Sequence, residues 1–344
     1  MSTPIRSALF SKVISPLSKS PQKSIKSARN RPSPARYLNF ETSPLRNQFV
    51  KSSNFSQDIN DIYIKVPNCN KLLINTPNKN RLLLCGINSV KNLHILGKGA
   101  FGTVVSGIYK DSRVAVKIIK LRKEDVKLKE QNAMGLSHTN VVKIIDVICK
   151  VDTNYGMVLM EYLNSCRHLQ DILDDRTVNL NSAIITKYAI DICAGLHYCH
   201  SNKILHLDLK PANILICDDN LCKLCDFGNS RNLDSLDEEF CLGTILYAAP
   251  ELLLGRKPTT KCDVYSFGVV LWQMRYRELP YSNLHGIEVV IYKVVKFNYR
   301  PQSLDKEKTE EDEYCKIYLS CWSADPKDRP ETFQIVDKLS TLRH

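Results

Sequence analysis

The chain has 344 residues, 43% of them hydrophobic, and a formal charge of +12 at neutral pH. That length suits one large domain of roughly 250 residues with an extension, or two ordinary domains. No run reaches the ~20 consecutive apolar residues of a membrane span, and Lys12 and Lys19 bracket the only apolar patch of a would-be signal peptide, so a soluble cytoplasmic protein is expected.

Residues 1–85 are rich in Ser, Pro, Asn and basic residues and are expected to form a mostly disordered tail. Within the first 50 residues nine Lys and Arg stand against the single acid Glu41, which leaves +8 of the total charge there. The tail has no aromatic interleaving and no amphipathic period, so it reads as a solvated segment. Neither nucleic acid nor membrane is expected as a partner. Ser15-Pro16, Ser20-Pro21, Ser33-Pro34 and Ser43-Pro44 are accessible candidates for proline-directed phosphorylation. The thirteen cysteines are scattered, with no paired blocks at zinc spacing, and read as small buried hydrophobes in a reducing compartment.

Residues 86–344 form the expected folded domain, with a strand-rich part over about 92–163 and a helical part over about 164–343. LHILGKGAFGTVVSGIYK reads as strand, glycine turn, strand. SRVAVKIIKL is a third strand, with β-branched residues alternating around Lys117. From Glu124 to Leu136 the pattern becomes helical, with Val126, Leu128, Ala133 and Met134 among charged residues. VVKIIDVIC and YGMVLMEYL are two more strands. SAIITKYAIDICAGLHYCHSN and DVYSFGVVLWQMRY then read as helices.

The chemistry sits at the junctions. Gly97-Lys98-Gly99-Ala100-Phe101-Gly102-Thr103-Val104 is a glycine-rich turn whose backbone can approach phosphate where side chains would clash. A dinucleotide site uses a similar spacing but needs a helix after the last glycine, and VVSGIYK is strand-like. Lys117, on the next strand, is placed to reach the α- and β-phosphates of ATP, and Glu130 is the best acid to hold it. His206-Leu207-Asp208-Leu209-Lys210-Pro211-Ala212-Asn213 supplies a base (Asp208), a cation for the γ-phosphate (Lys210) and an amide (Asn213). Asp226-Phe227-Gly228 offers a carboxylate that, with Asn213, can hold Mg²⁺, and Ala249-Pro250-Glu251 closes the segment. Cys225, just before Asp226, is expected at the back of the nucleotide site.

In this order and spacing the motifs resemble those of protein kinases over about residues 92–343. The resemblance implies a bilobal α+β fold: a small five-stranded antiparallel lobe with one helix, then a larger, mainly helical lobe. It further implies that Val104, Ala115 and Leu215 enclose adenine, and that Met160 guards the pocket ahead of a hinge at Glu161, Tyr162 and Leu163. It also implies that Asp263 braces the catalytic loop, that Glu251 pairs with Arg329, and that Thr244 ties Lys210 to Asp208. Lys210-Pro211-Ala212-Asn213, and Gly243-Thr244 before Tyr247, resemble the serine/threonine branch.

Within that branch HLDLKPANILI, DFGNS, DVYSFGVVLWQM followed by LPYS, and a late CW before RP are similar to the Mos family, as is Leu207 in place of the usual arginine. That likeness implies a monomeric enzyme phosphorylating a MAP kinase kinase in maturing oocytes. Two alternatives remain: another serine/threonine kinase upstream of a MAP kinase cascade, and a pseudokinase scaffold. The charged stretch Leu304–Glu313 has no assigned counterpart.

Overall fold

The computed structural model describes residues 72–74, 95–99, 102–121, 128–150, 155–235, 242–302 and 312–342. The four Ser-Pro sites, Ala100 and Phe101 lie outside them, as do residues 122–127 and most of the charged stretch after residue 303.

Alternating apolar residues build the small lobe. Strands β1 (Leu72–Ile74), β2 (Ile95–Gly99), β3 (Gly102–Tyr109), β4 (Ser112–Lys120), β5 (Ile144–Lys150) and β6 (Tyr155–Glu161) form one antiparallel sheet. Its order is β1-β3-β4-β6-β5, with β2 also pairing β3. Because side chains alternate across a strand, the sheet has two different faces. Val105, Val114, Val116, Ile118, Met157 and Leu159 pack together on one. On the other, Lys117 stands between Val104 and Val158, and Ala115 lies opposite Met160.

Two differences from expectation concern this lobe. The five expected strands are joined by a sixth, Leu72–Ile74, which pairs with Gly107–Tyr109 from inside the segment assigned to the tail. Three consecutive apolar residues, Leu72, Leu73 and Ile74, suit an extended edge. The second concerns the expected helix. Its described part is a 3₁₀ turn, Lys129–Ala133, after which Met134 is extended and 43% exposed. A 3₁₀ turn repeats every three residues, so Ala133 rather than Met134 shares the buried side with Glu130.

The large lobe gathers around one helix. Short β7 (Cys166–His168) leads from the hinge into α1 (Leu169–Asp174) and the 20-residue α2 (Ser182–Ser201). Then come β8 (Ile204–Leu205), β9 (Ile214–Cys217), β10 (Cys222–Leu224) and β11 (Arg231–Asn232), paired as β10-β9-β7 and β11-β8. Helices α3 (Pro250–Leu253), α4 (Thr260–Tyr276), α5 (Ile287–Phe297), α6 (Glu313–Cys321) and α7 (Thr332–Thr341) complete it. Every residue of α4 from Cys262 to Met274 is buried, as expected of a helix apolar on all sides. Asp312, at the end of the charged stretch, caps α6 by accepting the Tyr314 N–H.

The large lobe is tied by one buried ion pair. Arg329 donates to both oxygens of Glu251, at 2.6 and 2.9 Å, and also to the Lys261 and Ser323 carbonyls. Burial alone raises the Glu251 carboxyl, but Arg329 outweighs it and holds the group below its ordinary 4.5. Removing one member of a fully buried pair strands the other charge, a loss of about 3–5 kcal/mol. Arg329→Ala is therefore expected to lower unfolding free energy by about that amount in urea titration at pH 7. A depressed carboxyl stabilises at pH above its unfolded pKa and loses that contribution as pH falls through its folded one. In Arg329→Ala burial is left to raise the Glu251 carboxyl, so the gap to the parent should begin to shrink as pH falls through that raised value, already above the ordinary 4.5, and go on shrinking down to the parent's lowered one.

Candidate active site

Two buried clusters face each other across the cleft. The first hangs from the small lobe. Lys117 on β4 donates to Glu130 Oε1 at 2.9 Å and to Asp226 Oδ1 at 2.7 Å. Burial would lower the Lys117 pKa, but Asp226 and Glu130 raise it above 10.5, so the ammonium stays charged. Burial pushes the Asp226 carboxyl up, yet Lys117 dominates and brings it below its ordinary value. These groups line a small cavity with Val142, Ile144, Val158, Met160 and Phe227.

The second cluster is the catalytic loop. Asp208 Oδ1 accepts from the Thr244 N–H at 2.8 Å and the Thr244 hydroxyl at 2.7 Å. Its Oδ2 accepts from Lys210 Nζ at 3.0 Å and Asn213 Nδ2 at 3.1 Å. Lys210 also reaches Thr244 Oγ1, at 2.6 Å. The expected Thr244 tie between Lys210 and Asp208 is therefore present. The Asn213 amide nitrogen also donates to the Asp208 carbonyl, which leaves the amide oxygen as its remaining acceptor.

The loop carrying Asp208 is held from beneath. Asp263, in the first turn of α4, is fully buried. Its Oδ2 accepts the His206 N–H at 2.9 Å and its Oδ1 the Leu207 N–H at 2.8 Å. His200 Nε2 donates to the same carboxylate at 2.9 Å. This is the bracing expected of Asp263. It holds Leu207 at φ 60°, a left-handed conformation costly for a leucine.

Some participants were not singled out in the sequence. His206 Nε2 meets the Cys225 carbonyl at 3.0 Å. A carbonyl only accepts, so Nε2 carries the proton and Nδ1 is free to accept the Asp208 N–H at 3.3 Å. This imidazole joins the loop of the base to the strand end that presents Asp226. Val142, Ile144 and Phe227 close the cavity. Their apolar runs announced burial but not which face. Gly243, at φ 63°, leaves no room for a Cβ, which would collide with the Leu207 carbonyl. That close approach brings Thr244 onto Asp208.

On the side where adenine is expected, Met160 lines the cavity, and Leu163 and Leu215 are half-buried. Glu161, however, directs its carboxylate to the Lys143 N–H at 2.8 Å and Lys223 Nζ at 2.9 Å. Its side chain bridges the lobes, so only its main chain is left for adenine. In the glycine turn a Cβ at Gly102 would strike the Ile118 carbonyl, while one at Gly97 would meet nothing within 4 Å among the described residues. Cys225 is not among the cavity-lining residues. Burial, with Asp226 adding and Lys117 opposing, pushes its thiol well up, so it is a poor nucleophile.

The donor set suits ATP with a divalent cation. The Asp226 carboxylate and the Asn213 amide oxygen are hard oxygen atoms that could hold such a cation, and Lys117 beside Asp226 is already counterbalanced. The arrangement defines an enzyme of phosphoryl transfer to a hydroxyl, and comparison with known proteins agrees. The family model of the protein kinase domain matches residues 90–339. The chain belongs to that family.

Among curated proteins it is 38% identical to the serine/threonine-protein kinase mos of Patiria pectinifera over 257 residues, 70% of this chain and 72% of that protein. It is 36% identical to the serine/threonine-protein kinase mos of Xenopus laevis over 269 residues, 72% of this chain and 74% of that one. The Mus musculus proto-oncogene serine/threonine-protein kinase mos is 34% identical over 270 residues, 69% and 76% of the two chains. The protein is a serine/threonine protein kinase of the Mos type.

Asp208→Asn and Lys117→Met should each abolish transfer in folded protein. Removing one preorganised charge from such a unit costs about 3–4 kcal/mol of barrier, or 10²–10³ in turnover. Circular dichroism and turnover on the same preparation check this. Near-normal turnover of Asp208→Asn would refute its assignment as base.

Proposed function

We propose that the protein transfers the γ-phosphoryl group of ATP to serine or threonine in the activation loop of a MAP kinase kinase, acting as a cytoplasmic monomer in oocyte maturation. The observation that carries the chemistry is the fourfold hydrogen bonding of Asp208 by Thr244, Lys210 and Asn213. It fixes the orientation of the carboxylate that takes the acceptor hydroxyl's proton as the phosphoryl group arrives. Lys210, on the same carboxylate, lies where it can neutralise γ-phosphate charge. Lys117, oriented by Glu130, serves the α- and β-phosphates. Asp226 and Asn213 would hold Mg²⁺, which when bound neutralises charge on the phosphates. Lys210 leaves room for a short hydroxyl side chain, whereas tyrosine would hold its oxygen farther from the backbone. The named MAP kinase kinase substrate and the oocyte setting rest on the likeness to the Mos family.

Purified protein should phosphorylate one or more inactive MAP kinase kinases on activation-loop serine or threonine, with sites mapped by mass spectrometry. In immature oocytes the wild type should raise doubly phosphorylated MAP kinase, and Asp208→Asn should not. Phosphorylation of other proteins with MAP kinase left untouched would keep the kinase and overturn the substrate.

The same reading extends to activation. Many kinases neutralise an arginine beside the catalytic aspartate with a loop phosphate. Here that position is Leu207, only 4% exposed. Of the hydroxyls between Asp226 and Glu251, Ser230 is buried and donates to the Lys129 carbonyl. Thr244 is held on Asp208, and the Tyr247 hydroxyl is buried on Gln273. That leaves Ser235. Activity should accordingly survive phosphatase treatment within a factor of ten. A larger loss restored only by loop phosphorylation contradicts this.

A further inference from the structure

Cys166 and Cys217 stand directly opposite each other, on β7 and β9. Directly opposite residues of an antiparallel pair share a face, so the two thiols point the same way. The backbone of Cys217 is engaged elsewhere. Its N–H donates to the Leu221 carbonyl and its carbonyl accepts the Asn220 N–H, both 2.9 Å and both on the β10 side. Toward β7 it is therefore a non-hydrogen-bonded position, where opposite Cα atoms come to about 4.5 Å. A disulfide tolerates Cα separations of about 4.4–6.8 Å. Cys166 is exposed and Cys217 half-buried, and both are reduced. Most of the other described cysteines lie sealed in the core, among them Cys193, Cys199, Cys222, Cys262 and Cys321.

The position of the pair gives it consequence. Cys166 comes three residues after Leu163 of the hinge. Two residues along the same ladder, and so on the same face, His168 stands opposite Leu215, the residue expected under adenine. Opposite Cβ atoms in such a pair lie about 4.5–5.5 Å apart, whereas a disulfide brings them to about 3.8 Å. Closure pins β7 to β9 at this pair and so fixes the strand that leads out of the hinge. A bond on an exposed residue is easily reduced.

We propose that Cys166 and Cys217 are a modification site, forming a reversible disulfide that weakens nucleotide binding through the hinge. The oxidant is a peroxide. One thiol attacks the peroxide oxygen and becomes a sulfenic acid with loss of water. The second thiol displaces hydroxide from that sulfur, leaving as a second water, so that two thiols and one hydrogen peroxide give one disulfide and two waters. A dithiol reductant reverses it. Burial, with Asp218 beside Cys166, raises the Cys166 thiol. Burial and then Cys166 raise Cys217. Both are thus mostly protonated at neutral pH, so the thiolate that attacks is a minor species and oxidation is slow, needing abundant peroxide or raised pH.

The test uses the full chain, treated with hydrogen peroxide and then alkylated. Non-reducing peptide mapping should find the Cys166–Cys217 cross-link. KM for ATP should rise at least threefold with kcat little changed, and dithiothreitol should restore it. Cys166→Ser and Cys217→Ser should keep basal activity and lose the peroxide response. A cross-link absent from the map overturns the site, whatever the activity. A cross-link that leaves KM unchanged, or a response that survives in Cys166→Ser, overturns the coupling to the hinge. Peptide mapping reads the bond without turnover, so failure of the kinase reading would remain distinguishable.

Discussion

One buried carboxylate sets the geometry of the catalytic loop. Asp263 is fully buried, in the first turn of a helix with no exposed face along most of its length. Burial pushes its pKa up, but His200, His206 and the loop N–H groups hold it below the ordinary carboxylate value. The charge is also favoured by the positive end of α4. Such charge-assisted bonds contribute about 1.5–3 kcal/mol each. A left-handed leucine costs about 1–2 kcal/mol. The two bonds into Asp263 therefore exceed the strain at Leu207, and the loop takes a shape its sequence alone would avoid. That shape aims Asp208 into the cleft.

From this anchor the site is assembled by atoms used twice. Thr244 bonds Asp208 through both its N–H and its hydroxyl, and the same oxygen accepts from Lys210. The Cys225 N–H donates to the Asn213 carbonyl while its own carbonyl accepts from His206. Asp208, Asn213 and the strand end before Asp226 are thus locked in one network, in which the long flexible side chains are Lys210 on Asp208 and Lys117 on Asp226. Preorganisation of this kind fits phosphoryl transfer, where most of the catalysis is positioning and charge neutralisation.

Much of this was legible in the sequence because the reacting groups lie in short contiguous motifs. Lys117 could be placed from alternation in β4, and Asp208, Asn213 and Asp226 from spacing alone. What escaped depended on three-dimensional register. Alternation announces a buried strand but not which face of β5 and the residues before it meets the cavity, so Val142 and Ile144 were missed. The run from Glu124 suggested an α-helical period, and the described turn repeats every three residues instead, which turns Met134 outward. The strand Leu72–Ile74 is three residues inside a polar segment, too short for any period to register. The hidden service of His206 is a tautomer choice imposed by a carbonyl nineteen residues away in sequence.

Leu207 links fold to control. A guanidinium at this buried position would need an anion beside it, because an unpaired buried charge is costly. Leucine removes both the cost and the need, since its side chain joins the main core. The activation segment must then be ordered by other means. At its base, β11 pairs with β8 and the Leu233 N–H donates to the Lys203 carbonyl at 2.8 Å. The Lys203–Asp234 pair beside it is well exposed on both sides and contributes little. At its far end, Gly243 and Thr244 are seated against Leu207 and Asp208. Both ends are thus fixed by backbone and buried contacts already present in the unmodified chain. Anchored at both described ends without a phosphate, the segment gives the physical ground for expecting activity that does not depend on loop phosphorylation.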